Sequence, residues 1–382
     1  MKKVFPLLGP GILFAGAAIG VSHLVQSTRA GAEFGFGLLW ALVLVNIFKY
    51  PFFQFGPRYT AATGESLLDG YRKLGKGVLI SYYILNFATM FTIQAAVTIV
   101  TAGLASHIFG ITNDLVLWSF LILFLSLLIL IFGKYKLLDN LMKYIIIILT
   151  ISTLVAVLVA IFKDQKGYSF TQIIPSGSAE LTFLIAFLGW MPAPLDISIW
   201  HSLWSVEKNK ITFENIDVKN SIFDFNVGYI GTLFLGICFV ILGAMVMFNS
   251  GITFSSKGAV FAEQLIHLYT ENLGTHTHVF IGIAAFTTMF STTLTTLDAS
   301  PRAMEKSSEL LLGKKRKLNY WFWIILLAIG TCILLKYFMA DMGFLVKFAT
   351  ILSFLTAPFY AIINYLLITG KHTPKKIDQI FG

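Results

Sequence analysis

Apolar residues run along this chain in long blocks, separated by short groups of charge, Gly or Pro. Ten blocks approach or exceed the roughly 20 residues that a helix needs to cross a bilayer's hydrocarbon core. They lie at about 7–28, 36–56, 78–103, 115–133, 138–162, 180–204, 222–248, 278–300, 319–338 and 342–369. A transmembrane barrel would show short alternating strands instead. The composition, 57% hydrophobic and 12% charged, falls well below the charged share of about a quarter in an ordinary soluble domain. These observations exclude a soluble enzyme, a disordered chain and an outer-membrane barrel. The expected fold class is all-α integral membrane: ten transmembrane helices in one domain over residues 1–382, with the lipid bilayer as partner.

Charge sets the expected topology. With the N-terminus inside, the inner segments hold 20 of the 28 Lys and Arg, including the run Lys314, Lys315, Arg316 and Lys317. The outer segments hold five: Arg29, Lys163, Lys166, Lys257 and Lys336. Lys49, Lys143 and Lys347 lie within spans. Positive loops are retained in the cytoplasm, so both termini are expected there, in a multi-pass protein of the bacterial inner membrane. The net charge of +9 thus has a topological origin, with some inner Lys touching anionic lipid, and nucleic acid is not needed to explain it. Met1-Lys2-Lys3 leads into a span with no small-residue cleavage site, which reads as a retained first helix. The two cysteines, Cys238 and Cys332, sit in apolar spans and predict no disulfide framework.

Ten spans divide into two halves of five, about 1–165 and 176–370. An odd number of helices per half makes the halves inverted. The first helix of each half has breakers at its centre: Gly16, Gly20, Val21 and Ser22 in span 1, and Gly189, Pro192 and Pro194 in span 6. Matching interruptions in inverted halves point to a secondary transporter with its site at the midplane between the breaks. The alternative is that Gly and Pro only kink packed helices.

Few ionisable groups lie at bilayer depth, where each costs about 3 kcal/mol or more. His23 follows the Gly20-Val21-Ser22 break, and Asp196 follows Pro194, with His201 a little over a turn further on. A carboxylate, an imidazole and freed carbonyls can hold a cation, and the Met191 thioether beside them favours a transition metal. Against this, Asp196 can be a helix N-cap, His23 an interhelical hydrogen bond and Met191 simple packing. In span 8, Ser291, Thr292, Thr293, Thr295 and Thr296 precede Asp298. Thr292, Thr293 and Thr296 can present oxygens on one side of the helix for Na⁺, or satisfy local backbone. Asp298 is read as part of a gate or ion path, with an ion pair to Arg302 as the alternative. His276 and His278 read as a solvated surface pair, and Gly258–Leu273 as an amphipathic lid or membrane-surface helix. No Walker loop, dinucleotide fingerprint or nucleophile elbow occurs, so no enzyme activity and no cofactor are expected.

Gly9-Pro10, the stretch Arg29-Ala30-Gly31-Ala32-Glu33-Phe34-Gly35-Phe36-Gly37-Leu38-Leu39-Trp40 and Ala62-Thr63-Gly64-Glu65-Ser66-Leu67 resemble the first two helices and following loop of NRAMP divalent-metal transporters. Met191-Pro192 looks like the opening of that family's Met-Pro-His motif. The resemblance implies the inverted five-plus-five LeuT-type fold with helices 1 and 6 broken, and metal entry coupled to protons. The departures are chemical. Where the family has Asp-Pro-Gly-Asn, this chain has Gly20-Val21-Ser22-His23, so the metal-binding Asp becomes Gly20 and the Asn becomes His23. The His after Met-Pro becomes Ala193. The expected function is a cation-coupled secondary transporter, most of all of a divalent metal. Gly20, Ser22, His23, Met191 and Asp196 form its substrate site, and His23, Met191 and Asp196 are the metal ligands. Thr292, Thr293, Thr296 and Asp298 are assigned to the coupling ion or gate. The alternative is a Na⁺- or H⁺-coupled symporter of a small organic solute or anion, and a third reading is a sensor or channel on the same fold. No obligatory protein partner is evident.

Overall fold

A computed structural model of the chain describes residues 8–163, 169–212, 217–248, 255, 258–273, 278–313, 319–337 and 342–374. Met1-Lys2-Lys3, Lys166, Lys257, His276 and the run Lys314, Lys315, Arg316 and Lys317 lie outside them, as does the side chain of His278. Among the described residues the regular structure is helical throughout, with no strand.

The chain opens with α1 (Pro10–Ala18), a π-helical segment (Val21–Ser27) and α2 (Thr28–Phe34). Pro10 suits the first helical position because its missing N–H would have no partner there. The free N–H groups of Gly9 and Gly11 are taken by the Asp224 carboxylate at 2.9 and 2.8 Å. α3 (Leu39–Thr63) ends at Gly64, whose φ of 73° is the left-handed conformation of a helix C-cap. α4 (Leu67–Leu74) starts from a capping box between Ser66 and Asp69. α5 (Lys76–Phe109) and α6 (Leu115–Lys163) follow. The second half comprises α7 (Ser178–Trp190), α8 (Ile197–Thr212), α9 (Val218–Val246), α10 (Gly258–Leu273), α11 (His278–Leu312), α12 (Asn319–Tyr337) and α13 (Met342–Thr369).

Among the described residues eight helical segments are long and apolar enough to cross a membrane, where the hydrophobic pattern had ten candidates. The sixth candidate is divided into α7 and α8, of 13 and 16 residues, each too short by itself. The eighth lies in α11, whose hydroxyl groups and charges near Asp298 and Arg302 make it more polar than the rest. The loop expected at 134–137 is also different, because helix continues from Leu115 to Lys163. At about 1.5 Å per residue, these 49 residues far exceed one crossing. They contain two apolar segments, Leu115–Phe132 and Asn140–Phe162. Leu130 and Met142 pack in one core cluster, while Leu115 and Ala160 both belong with the other, so the run goes across and returns. Gly258–Leu273 forms a helix over the bounds read from the sequence, and its Phe261, Leu265 and Ile266 are buried against the bundle.

α9 is the support on which both parts of the first interrupted helix rest. A Cβ on Gly228 would stand 2.1 Å from the Gly11 carbonyl, and one on Gly243 would stand 2.1 Å from the Thr28 carbonyl. Backbone therefore meets backbone on both sides of the interruption, the close approach that small residues permit between membrane helices. Replacing Gly243 by Val should force α2 away from α9 and lower stability by about 1–3 kcal/mol or more. Gly231→Ala, where nothing lies within 4 Å, is the silent control. Equal melting temperatures for the two purified variants would show that the close contact carries no stability.

Candidate substrate site at two helix interruptions

The first interruption centres on Gly20. Helical bonding runs as far as Ile19, whose N–H reaches the Ala15 carbonyl, and resumes when the N–H of Leu24 reaches Gly20. Carbonyls around the gap are satisfied by side chains. Thr292 Oγ1 lies 3.0 Å from the Gly16 carbonyl and 3.3 Å from that of Ile19. The Ser22 hydroxyl donates to the Ala18 carbonyl. A Cβ on Gly20 would meet Thr292 Oγ1 at 2.5 Å, so the space for a side chain at this position is filled from α11. Here the chain lacks the family's Asp, and a hydroxyl from another helix occupies the room.

His23 is fully buried. Its Nε2 lies within hydrogen-bond distance of the Thr232 carbonyl on α9, at 2.9 Å. Nδ1 is left beside Ser22 Oγ at 2.6 Å and the Ala18 carbonyl at 3.1 Å. The interhelical hydrogen bond considered from sequence is therefore present, and it orients the ring.

The second interruption follows Trp190. Pro192 and Pro194 have no N–H to continue α7, and the Met191–Pro192 peptide is cis. Met191 is buried, and its sulfur accepts from Ser27 Oγ at 3.5 Å. Its Cε and the His23 ring carbon Cδ2 both lie within 4 Å of the point where a Cβ on Gly236 would stand. Met191, Ser27 and His23 thus gather at α9. The carbonyls of Leu188, Gly189 and Ala193 are met by Lys49 Nζ from α3, at 2.8, 2.8 and 3.1 Å.

Asp196 precedes α8, where the Ile199 N–H bonds its carbonyl. Its Oδ1 is buried without a hydrogen-bond partner, as are the hydroxyls of Tyr82 and Tyr360. Tyr71, in edge contact with Tyr82, passes the polar region on through a 2.6 Å bond to Asn364. His201 stands among Phe14 and Phe225 in edge contacts.

The hydroxyl row of α11 divides. Thr292 and Thr296 line a cavity of about 20 Å³ together with Val21, Ser22, Trp190 and Pro194. That is room for one water, so the two interruptions face an occluded space. Thr296 Oγ1 donates to Gln94 at 2.8 Å, and Thr293 Oγ1 lies 2.8 Å from Thr101 Oγ1, which joins α11 to α5. Asp298 is far from free: it accepts from Arg302, Tyr320 and Trp204 at 2.6, 2.6 and 3.1 Å. The ion pair considered from sequence is present, extended into a clamp among α8, α11 and α12. Ser22, Thr292 and Thr296 are thus brought together at the cavity. His23 and Met191 meet beside α9, and Asp196 precedes α8. Among the described residues no group of three or more His, Cys, Asp or Glu is placed to hold a metal.

Reading from sequence passed over Lys49 and Asp224. Lys49 carried a usable signal, an ionisable residue inside an apolar span. Asp224 carried little, since its partners are backbone N–H groups more than 200 residues away.

An all-helical, multi-pass bundle with interrupted helices meeting at a buried polar site defines a membrane transporter. Residues 11–379 match the family described as "Natural resistance-associated macrophage protein-like". An uncharacterised protein of Pasteurella multocida (strain Pm70) is 38% identical over 379 residues, 97% of this chain and 87% of that protein. The chain belongs to this family, which is one of membrane transporters and not of enzymes. Its fold is shared with a manganese transporter of Eremococcus coleocola, solved with an aromatic bis-isothiourea substituted compound. That structure has a TM-score of 0.67 at 17% identity, covering 100% of this chain and 83% of that one. A nucleobase-cation-symport-1 family transporter with bromovinylhydantoin bound is similar at a TM-score of 0.64 and 14% identity, covering 94% of this chain and 78% of that one.

Thr292→Val keeps the shape but leaves the Gly16 and Ile19 carbonyls without their donor, and it should cost about 1–3 kcal/mol in thermal unfolding. Gly20→Asp should also destabilise, and Thr292→Ala in the same chain should recover part of the loss by clearing the space. If Gly20→Asp alone is as stable as wild type, Thr292 does not fill that position.

Proposed function

We propose that this protein is a cation-coupled secondary transporter with ten membrane-crossing helices in two inverted halves and both termini cytoplasmic. In this reading α1 with α2, and α7 with α8, are the interrupted helices 1 and 6, and the cargo is a divalent transition-metal ion. The observation that carries the cargo class is the meeting of His23 and Met191 at α9. The imidazole is anchored on the Thr232 carbonyl through Nε2, the outer hydrogen bond typical of a metal-ligating histidine, and ligation through Nδ1 requires the Ser22 hydroxyl, 2.6 Å from it, to give way to the ion. A thioether beside it selects softer metals over Mg²⁺ or Ca²⁺. Asp196 is the carboxylate available to offset the cation's charge at the second interruption. Thr292, Thr293, Thr296 and Asp298 serve the coupling ion or the gate.

One observation favours the second reading, a symporter of a small organic solute or anion. The Lys49 ammonium already places positive charge at the second interruption, which suits a negative group better than a divalent cation.

Uptake of Mn²⁺ and of candidate organic anions into proteoliposomes, with binding measured on the same preparation, separates the two. Metal cargo predicts that His23→Ala and Met191→Ala each weaken binding of a soft divalent ion by about tenfold or more, the scale of losing a well-placed ligand or its support. Glu33→Gln, at the exposed rim, should leave binding nearly unchanged. Asp196→Asn should reduce uptake while the protein stays folded. Wild-type protein that binds no divalent ion but takes up an organic anion would transfer the assignment to the second reading.

A further inference from the structure

The second interruption demands a cation. α7 ends at Trp190, so its last carbonyls have no intrahelical donor and point together from the negative end of a helix dipole. Inside a bilayer no water is at hand, and each unmet carbonyl costs several kcal/mol. In a transporter with broken helices, such a carbonyl mouth is where a coupling cation is held. Lys49 reaches it from a different helix. It sits within the apolar stretch of α3 and is only 8% exposed. An ammonium has three donors, and Nζ has three carbonyl partners: Leu188, Gly189 and Ala193, at 2.8, 2.8 and 3.1 Å. The carboxylate at the start of α8, beyond the same interruption, is Asp196, whose Oδ1 is buried without a hydrogen-bond partner. Three oxygens in a cluster, a carboxylate behind them and one monovalent positive charge are the components of an alkali-cation site.

We infer that the Lys49 ammonium is a tethered cation that fills a monovalent-cation site at the end of α7, so that no exchangeable Na⁺ binds there while Lys49 is in place. The break is satisfied by the chain's own charge before any cargo arrives. Removing the ammonium with its stem exposes three carbonyl oxygens and a carboxylate to a space of the right size and sign for Na⁺. The inference concerns this site whatever the cargo is. It is read by stability without cargo, so failure of metal uptake leaves it standing.

The experiment is thermal unfolding of purified wild type, Lys49→Ala and Lys49→Gln in detergent micelles, in NaCl and in choline chloride at equal ionic strength. In choline, Lys49→Ala should melt well below wild type. Na⁺ should raise its midpoint saturably by several degrees beyond any Na⁺ effect on wild type. Lys49→Gln keeps the space filled and offers two donors without charge, so it should fall between the two and show no added Na⁺ effect. Lys49→Ala that melts as wild type does in choline, or that gains nothing from Na⁺, overturns the assignment. Should Lys49→Ala fail to fold, Lys49→Gln decides: stability equal to wild type means that the charge is not needed and overturns the inference, while a lowered, Na⁺-insensitive midpoint upholds it.

Discussion

A backbone carbonyl inside a bilayer must be hydrogen-bonded by protein, and everything at the centre of this molecule follows from that constraint. Two interruptions release carbonyls where water is scarce. At the first, hydroxyls from Thr292 and Ser22 meet them. At the second, three bonds from Lys49 do so. The cavity between them has room for no more than about one water, so the interruptions are closed by protein from neighbouring helices rather than by solvent. Residues that would be unremarkable elsewhere, a threonine on one helix and a lysine on another, become the complement of a gap in a third.

That complement also accounts for how the chain departs from its family's motif. Gly20 stands where the resemblance leads one to expect a carboxylate, and Thr292 occupies the room a side chain would need. The polar chemistry has moved outward from the first interruption. Imidazole and thioether meet at α9, and the buried carboxylate lies at the start of α8. A site with one negative and one positive group in its walls has a different electrostatic character from one with a lone carboxylate. The surrounding helices nonetheless keep the shared fold.

What could be read from sequence was what acts locally. Gly20, Pro192 and Pro194 end helices through their own backbone chemistry, and α1 and α7 stop where they stand. The bounds of α10 were legible because its apolar face repeats with helical period. The boundary between the fourth and fifth apolar blocks matches the separation of Leu115–Phe132 from Asn140–Phe162 within α6, although helical structure is kept where a loop was expected. Partnerships within one helical turn were legible, as Asp298 with Arg302 shows, but distant ones were not. His23 bonds a carbonyl 209 residues away, and Lys49 bonds carbonyls about 140 residues away. Nothing in an apolar run reveals which distant backbone a polar side chain will meet. The cost of an ionisable group at depth would have marked Lys49 as needing a partner, although that signal was passed over and could not have said which partner.

The two interrupted helices are mounted differently. Both parts of the first, α1 and α2, press their backbones onto α9, so a rigid α9 holds them at a fixed angle. The parts of the second rest on separate supports. α7 lies against α13, where Gly189 meets the Thr350 carbonyl, and α8 lies against α3, where Gly56 meets that of Ser198. Lys49 reaches across from one support to the other, rooted in α3 and fastened to the end of α7. The end of α7 is thereby tied to the helix that carries α8 as well as to α13, so the second interruption is braced from both sides.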